Sequence, residues 1–120
     1  MTRFFTPLRQ SRLKTNAPVR FGHNELLTQG GVALDLSVGG MYLQTNTLYT
    51  PATRLLIEFR LPSCHQPIRC RARVAWCNRA ESAPKPSFPP GMGLQFIDLP
   101  TLHREAIMIY LNEIESATYH

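Results

Sequence analysis

The chain carries only three cysteines, Cys64, Cys70 and Cys77, an odd count without paired spacing. That excludes a disulfide framework and points to free thiols in a reducing compartment. No Cys-x-x-Cys occurs, and Cys70 and Cys77 are an odd number of positions apart, so on one strand they face opposite ways. Together with His23 and the Cys64-His65 pair they make no zinc site, and no metal is expected. No apolar run approaches the roughly 20 residues of a membrane span. Residues 1–7 have neither the apolar region nor the small-residue cleavage site of a signal peptide. The expected compartment is the cytoplasm, without membrane insertion.

Acidic residues are also scarce, 8 against 13 lysines and arginines, for a formal net charge of +5. The excess favours an anionic partner without choosing among a nucleotide, a nucleic acid and an acidic protein surface. No nucleophile–base arrangement and no catalytic carboxylate pair can be assembled, so neither enzymatic activity nor a cofactor is expected. Gly91-Met92-Gly93 lacks the following helix and lysine of a phosphate loop and reads as the start of a strand.

What the chain does have is alternation. The length of 120 residues suits one domain. Residues 1–16 are polar and basic, with Arg3, Arg9, Arg12 and Lys14, and are expected to form a flexible N-terminal arm. Residues 17–120 are then the folded domain. In residues 17–22, Val19 and Phe21 alternate with Pro18 and Arg20. Further on, Met41 and Leu43 oppose Tyr42 and Gln44, and Leu55, Ile57, Phe59 and Leu61 oppose Glu58 and Arg60. The longest run, 68–77, places Ile68, Cys70, Ala72, Val74 and Trp76 inward, with Arg69, Arg71, Arg73, Ala75 and Cys77 outward. A last strand occupies 91–97. The arginine stripe reads as a solvated face cross-paired to Glu58. Nucleic acid is not the expected partner, because no exposed aromatics accompany the stripe.

From about residue 100 to 117 the period becomes helical, with Ile107, Leu111 and Ile114 in a stripe that Met108 and Tyr110 widen. Asp98 and Thr101 are candidate caps. About six short antiparallel strands and one amphipathic helix predict a mostly β fold, a small closed barrel with the helix packed against it.

The stretch that organises the chain is Val32-Ala33-Leu34-Asp35-Leu36-Ser37-Val38-Gly39-Gly40-Met41. Alternation puts Leu34, Leu36 and Val38 on one face and Asp35 and Ser37 on the other. The Gly39-Gly40 pair predicts a hairpin turn built on φ > 0. From residue chemistry alone, Asp35 and Ser37 fit ordinary turn bonding as well as ligand contact. Asp35, Ser37 and Gly40 are spaced Asp-x-Ser-x-x-Gly, which resembles the signature of PilZ domains, bacterial receptor modules for cyclic di-GMP. Pro18-Val19-Arg20-Phe21, Gly39-Gly40-Met41, Val74-Ala75-Trp76 and Gly91-Met92-Gly93-Leu94-Gln95-Phe96 extend the resemblance, in order, across most of the chain.

The resemblance implies a six-stranded antiparallel PilZ-type β-barrel with a C-terminal α-helix, and a ligand, cyclic di-GMP, bound on the outside of the barrel. Arg9 and Arg12 would clamp phosphate or guanine, Asp35 and Ser37 would read a guanine, and Gly40 would permit close approach. The residue types suit these tasks, since a carboxylate accepts from guanine N1–H and N2–H₂ and a guanidinium fork matches O6 and N7. PilZ receptors usually carry Arg-x-x-x-Arg in the arm, whereas this chain has Arg9-Gln10-Ser11-Arg12, shorter by one residue. The function implied is a receptor that changes conformation on binding and signals to a protein effector in motility, biofilm or virulence. The alternative is an adaptor that binds no nucleotide and acts through protein contacts, for example in type IV pilus assembly. Alternation assigns Trp76 to the core; the alternative is a guanine-stacking role, which requires it to lie near the exposed end of its strand.

Overall fold

The structure, a computed structural model, describes residues 12–62, 66–79 and 89–118, with the side chains of 117 and 118 excluded. Six antiparallel strands, β1 (Leu13–Gly22), β2 (Gln29–Leu36), β3 (Gly40–Gln44), β4 (Arg54–Phe59), β5 (Ile68–Asn78) and β6 (Gly91–Phe96), precede one helix, α1 (Thr101–Thr118). The strands close into a barrel in the order β1-β2-β3-β6-β5-β4. Closure leaves no free sheet edge, which is how a chain of short strands avoids templating its own aggregation. The core is the inside of this barrel, where Phe21, Ala33, Leu36, Met41, Leu43, Ile57, Ala72 and Met92 are fully buried.

β1 starts four residues before the expected boundary, at Leu13 instead of 17. Alternation is weak there because that part of β1 pairs on one side only. β2 runs alongside from Leu13 to Phe21, whereas β4 pairs only with Val19 to Gly22. The same one-sidedness admits Pro18, whose missing N–H falls where β4 does not reach. Most of the expected arm, residues 1–11 with Arg9, lies outside the described residues, as do Cys64 and His65. Cys70 and Cys77 are free thiols.

Three one-residue bulges shift side chains from one face to the other. In β2, Ala33 is opposite Leu43 but Asp35 is opposite Tyr42, so Leu34 is an extra residue. Ala33 and Leu36 therefore both point inward, each 0 % exposed, and Leu34 is only half-buried. The expected sharing of one face by Leu34 and Leu36 is thereby corrected. In β5 the extra residue is Ala75, since Val74 faces Leu94 and Trp76 faces Gly93. Trp76 moves to the outer face, which overturns its expected place in the core. A third bulge in β1 falls between Lys14 and Ala17 and brings Lys14 opposite Asp35. A bulge reverses parity beyond it, and period-2 reading has no means of detecting one.

The helix lies across the end of the barrel where β2, β4 and β6 finish, with Arg104 beside Val38 and Phe96 and Tyr110 beside Thr15 and Leu61. Ile107 and Leu111 join the barrel core, and Tyr110 exchanges a hydrogen bond with Thr15 Oγ1 at 3.0 Å. Met108, expected to widen the buried stripe, is instead 41 % exposed, because the helix rests on a narrower face. Asp98 is not a helix cap: its Oδ1 accepts from the backbone N–H of Arg71 at 2.8 Å and so serves the sheet. The arginine stripe behaves as a solvated face, with Arg69 paired to Glu58 at 3.1 Å and Arg71 to Asp98 at 3.5 Å. No helix among the described residues is long and apolar enough to cross a membrane.

Burial, with Asp98 adding to it, pushes the Cys70 thiol up to about 12 from an ordinary value of 9.0. An unfolded chain would release this proton from about pH 9 while the native barrel retains it, so the native state loses relative stability as pH rises through that window. The midpoint of urea unfolding should therefore fall above about pH 9, and fall less steeply in Cys70→Ala. The bulge in β2 gives a sharper test. Ala33→Asp should prevent folding, because an unpaired buried carboxylate costs more than about 4 kcal/mol. Leu34→Asp should cost no more than about 1–2 kcal/mol, measured by the same denaturant titration.

Candidate functional site

The outer surface of β3, β5 and β6 carries an aromatic pair that depends on glycines. Tyr42 and Trp76 stack with ring centroids 5.4 Å apart and planes 28° from parallel. Gly93 lies between their strands, paired to both Tyr42 and Trp76. The indole covers Gly93 so closely that a Cβ there would collide with Trp76 Nε1, and a Cβ on Gly91 would come within 2.9 Å of the Tyr42 hydroxyl oxygen. Glycine at alternate positions of β6 thus makes the floor on which the two rings lie. Tyr42 is 2 % exposed although it faces outward, and its hydroxyl donates to the Pro89 carbonyl at 2.5 Å. Burial raises its pKa above the ordinary tyrosine value, against the lowering effect of a hydrogen bond with Asn78. Trp76 stays half-buried and lines an open hollow.

Asp35 stands next to this pair. Its Oδ1 accepts the backbone N–H of Tyr42 at 2.9 Å, so the carboxylate anchors the strand at the bulge. The same oxygen accepts from Arg12 at 2.5 Å, with Lys14 directly across the ladder. The Arg12–Asp35 pair is open to solvent, the two side chains being 48 % and 22 % exposed, so it is worth no more than about 1 kcal/mol and exchanges readily.

Ser37 and Gly40 have local roles. Ser37 Oγ accepts from the backbone N–H of Gly39 at 3.1 Å and of Gly40 at 3.2 Å. The Ser37 backbone N–H donates to the Gly40 carbonyl at 2.9 Å, which closes the turn. Ser37 is only 4 % exposed. Contrary to the expected φ > 0 turn, no described glycine lies in the left-handed region. Gly40 is required for space: a Cβ would run into the carbonyl oxygen of Leu94 on β6. Gly39 is subject to neither constraint, since a Cβ there would meet nothing nearer than Ser37 Oγ at 3.8 Å.

Between these groups lies an open hollow of about 340 Å³, lined by Arg12, Ser37, Gly39, Trp76, Gly93 and Gln95 among others. Of the five expected site residues, Arg12 and Ser37 line it, Asp35 holds Arg12 at its edge, and Gly40 lies beneath, packed on Leu94. Arg9 lies outside the described residues. Trp76 and Gln95 were not among the expected site residues. Glycines two apart on β6 were the available signal, because a strand keeps such gaps where something large lies over them. The hollow combines a flat aromatic face, a guanidinium on a displaceable partner and bare backbone, a set that suits a planar, anionic ligand. No group of three or more histidine, cysteine or carboxylate side chains among the described residues is placed to hold a metal ion.

The family model for the PilZ domain matches residues 8–113. Among solved structures, the Bacillus subtilis inhibitor of motility MotI/DgrA superposes with a TM-score of 0.74 at 17 % identity, over 91 % of this chain and 51 % of that one. This chain therefore spans about half the length of that protein. The PilZ domain of YcgR from Escherichia coli, solved with cyclic di-GMP, gives 0.63 at 13 % identity, covering 89 % of this chain and 91 % of that one. The PilZ domain of CeSA from a cellulose-synthesizing bacterium gives 0.50 at 22 % identity, covering 84 % and 93 %. At these identities the likeness is one of fold. No curated protein matches.

The motif residues should therefore affect stability even without ligand. Gly40→Ala should lower unfolding free energy by about 3 kcal/mol through overpacking, and Ser37→Ala by about 1–2 kcal/mol through two orphaned N–H groups. Gly39→Ala should leave stability unchanged or raise it by up to about 1 kcal/mol, since its only effect is on the unfolded chain. Urea titrations of the three variants check the order.

Proposed function

This chain belongs to the PilZ domain family, and from that premise we propose that it is a receptor for cyclic di-GMP acting as an adaptor, not as an enzyme. The observation that carries the reading is the hollow itself, where Arg12, held by Asp35, stands at the rim of a pocket walled by the open ring of Trp76. A guanine stacked on Trp76 would gain about 1–3 kcal/mol, as bases do on aromatic platforms. Its N1–H and N2–H₂ edge would find Asp35. Arg12, exchanging one anion for another, would turn to phosphate or to O6 and N7. The cost of releasing Arg12 from Asp35 is at most about 1 kcal/mol, small beside what the ligand offers. Arg9, three positions earlier, is the second guanidinium of the proposed clamp. Ser37 and Gly40 support the site by holding its turn against β6.

Binding would fix the arm against the barrel. Thr15, three residues after Arg12, bonds to Tyr110 of α1, so the arm and the helix are already connected. A protein effector that reads this surface fits the reading, and the likeness to an inhibitor of motility makes motility the first output to examine. A cytoplasmic site of action follows from a cytoplasmic second messenger.

Calorimetric titration with cyclic di-GMP tests the proposal, with the single tryptophan as an independent optical probe. Saturable binding at micromolar concentration or below is expected, with quenching of Trp76 fluorescence. Arg12→Ala and Asp35→Ala should each weaken it by about tenfold or more, the usual loss for a charge-assisted contact. A folded wild-type chain that gives neither heat nor quenching would refute the receptor reading and leave the nucleotide-free adaptor, which the shortened Arg9–Arg12 spacing would then explain.

A further inference from the structure

A second hollow, of about 240 Å³, adjoins the first and is lined by Val38, Gly39, Gln95, Leu99 and Arg104 among others. The two share Gly39 and Gln95 as a common rim. Gln95 is held in place by Arg73, which donates to its Oε1 at 2.8 Å. Arg104 belongs to the first turn of α1, where its backbone N–H bonds the Pro100 carbonyl at 2.9 Å. Its guanidinium has no ion-pair or hydrogen-bond partner among the described residues, unlike Arg12, Arg69 and Arg71.

Gly39 gives the second, independent observation. It is exposed, its φ lies outside the left-handed region, and a side chain there would project into open space. Neither backbone geometry nor packing calls for glycine. What glycine does provide is a low rim, so that a ligand can pass from one hollow to the other.

We propose that the cyclic dinucleotide lies across both hollows, and that Arg104 binds the half of it that the Asp35/Ser37/Gly40 motif does not reach. The inference rests on the receptor reading above. The ligand has two phosphates and two guanines related by two-fold symmetry. Among the described residues the first hollow offers one aromatic face and one guanidinium, enough for one half. The second half crosses Gly39 and presents phosphate oxygens, or the O6 and N7 edge of its guanine, to the unpaired fork of Arg104.

The test is titration of the full chain with cyclic di-GMP in wild type, Arg104→Ala, Arg104→Lys, Gly39→Leu and Arg60→Ala. Arg60 lines a different hollow, between β1 and α1, and its removal changes the net charge as Arg104→Ala does. Arg104→Ala should weaken binding by about tenfold or more, with Arg104→Lys intermediate. Gly39→Leu should weaken it comparably by raising the rim, with the thermal midpoint of unfolding unchanged in the Arg104 variants and not lowered in Gly39→Leu. Trp76 should still be quenched at saturation in Arg104→Ala, because the first half still docks. Wild-type affinity in both Arg104→Ala and Gly39→Leu would overturn the inference and leave the receptor reading standing. An equal loss in Arg60→Ala would overturn it too, by showing that net charge and not a contact is at work. No binding by wild type would overturn both.

Discussion

A single carboxylate oxygen ties the sheet to the basic segment that precedes it. Oδ1 of Asp35 accepts the backbone N–H of Tyr42 and the guanidinium of Arg12. The first bond secures the ladder where the bulge at Leu34 interrupts it, and so fixes which residues of β2 face the core. The second draws the start of the chain against the barrel. Because both bonds converge on one atom, a ligand that engages Asp35 acts on the position of Arg12 and on the strand beneath the aromatic pair together. On the proposed reading the partner it would displace is solvent-exposed and weakly held, so Arg12 could leave without loosening the barrel.

The rest of the surface follows from parity. One extra residue in β5 turns Trp76 outward, and Tyr42 on β3 already faces that way. Two aromatic rings can lie flat on this sheet only because Gly91 and Gly93 leave room beneath them. One ring, Tyr42, is then covered and bonded to Pro89, while the other keeps an open side. The barrel interior supplies rigidity and the bulges supply the site. Bulges commonly occur next to functional sites because they re-aim one side chain without rebuilding the sheet.

Much of this was legible in the residues. The strands, the closed β architecture and the terminal helix follow from alternation and its change of period, and the outward placement of Asp35 follows from the same count. The pairing of Glu58 with the arginine stripe is expected from alternation and is found at Arg69. Part of what the pattern missed lies at the bulges. Alternation sets Leu34 on the face of Leu36 and Trp76 in the core because a period of two carries no record of an inserted residue. Gly39-Gly40 was read as a φ > 0 turn, whereas Gly40 is glycine because Leu94 approaches from another strand, a contact between residues 54 positions apart in the chain. Met108 was counted in the buried stripe because the width of a helix contact depends on what lies under it. Each error concerns a long-range packing partner that local periodicity does not encode. The candidate site was legible as a motif, Asp35, Ser37 and Gly40, but not as a surface, since Trp76 and Gln95 reach the hollow only through register.

The most direct test of this account is an amide and indole N–H correlation spectrum of the ¹⁵N-labelled chain, recorded as cyclic di-GMP is added. Shifts should concentrate on the Trp76 indole Nε1–H, on the backbone of Gly39, Gly40, Gly93 and Gln95, and on Arg12, with Arg69 and Arg71 unmoved. Shifts that leave the Trp76 indole unchanged and fall on the arginine face or elsewhere on the barrel would contradict the site described, even if the nucleotide binds.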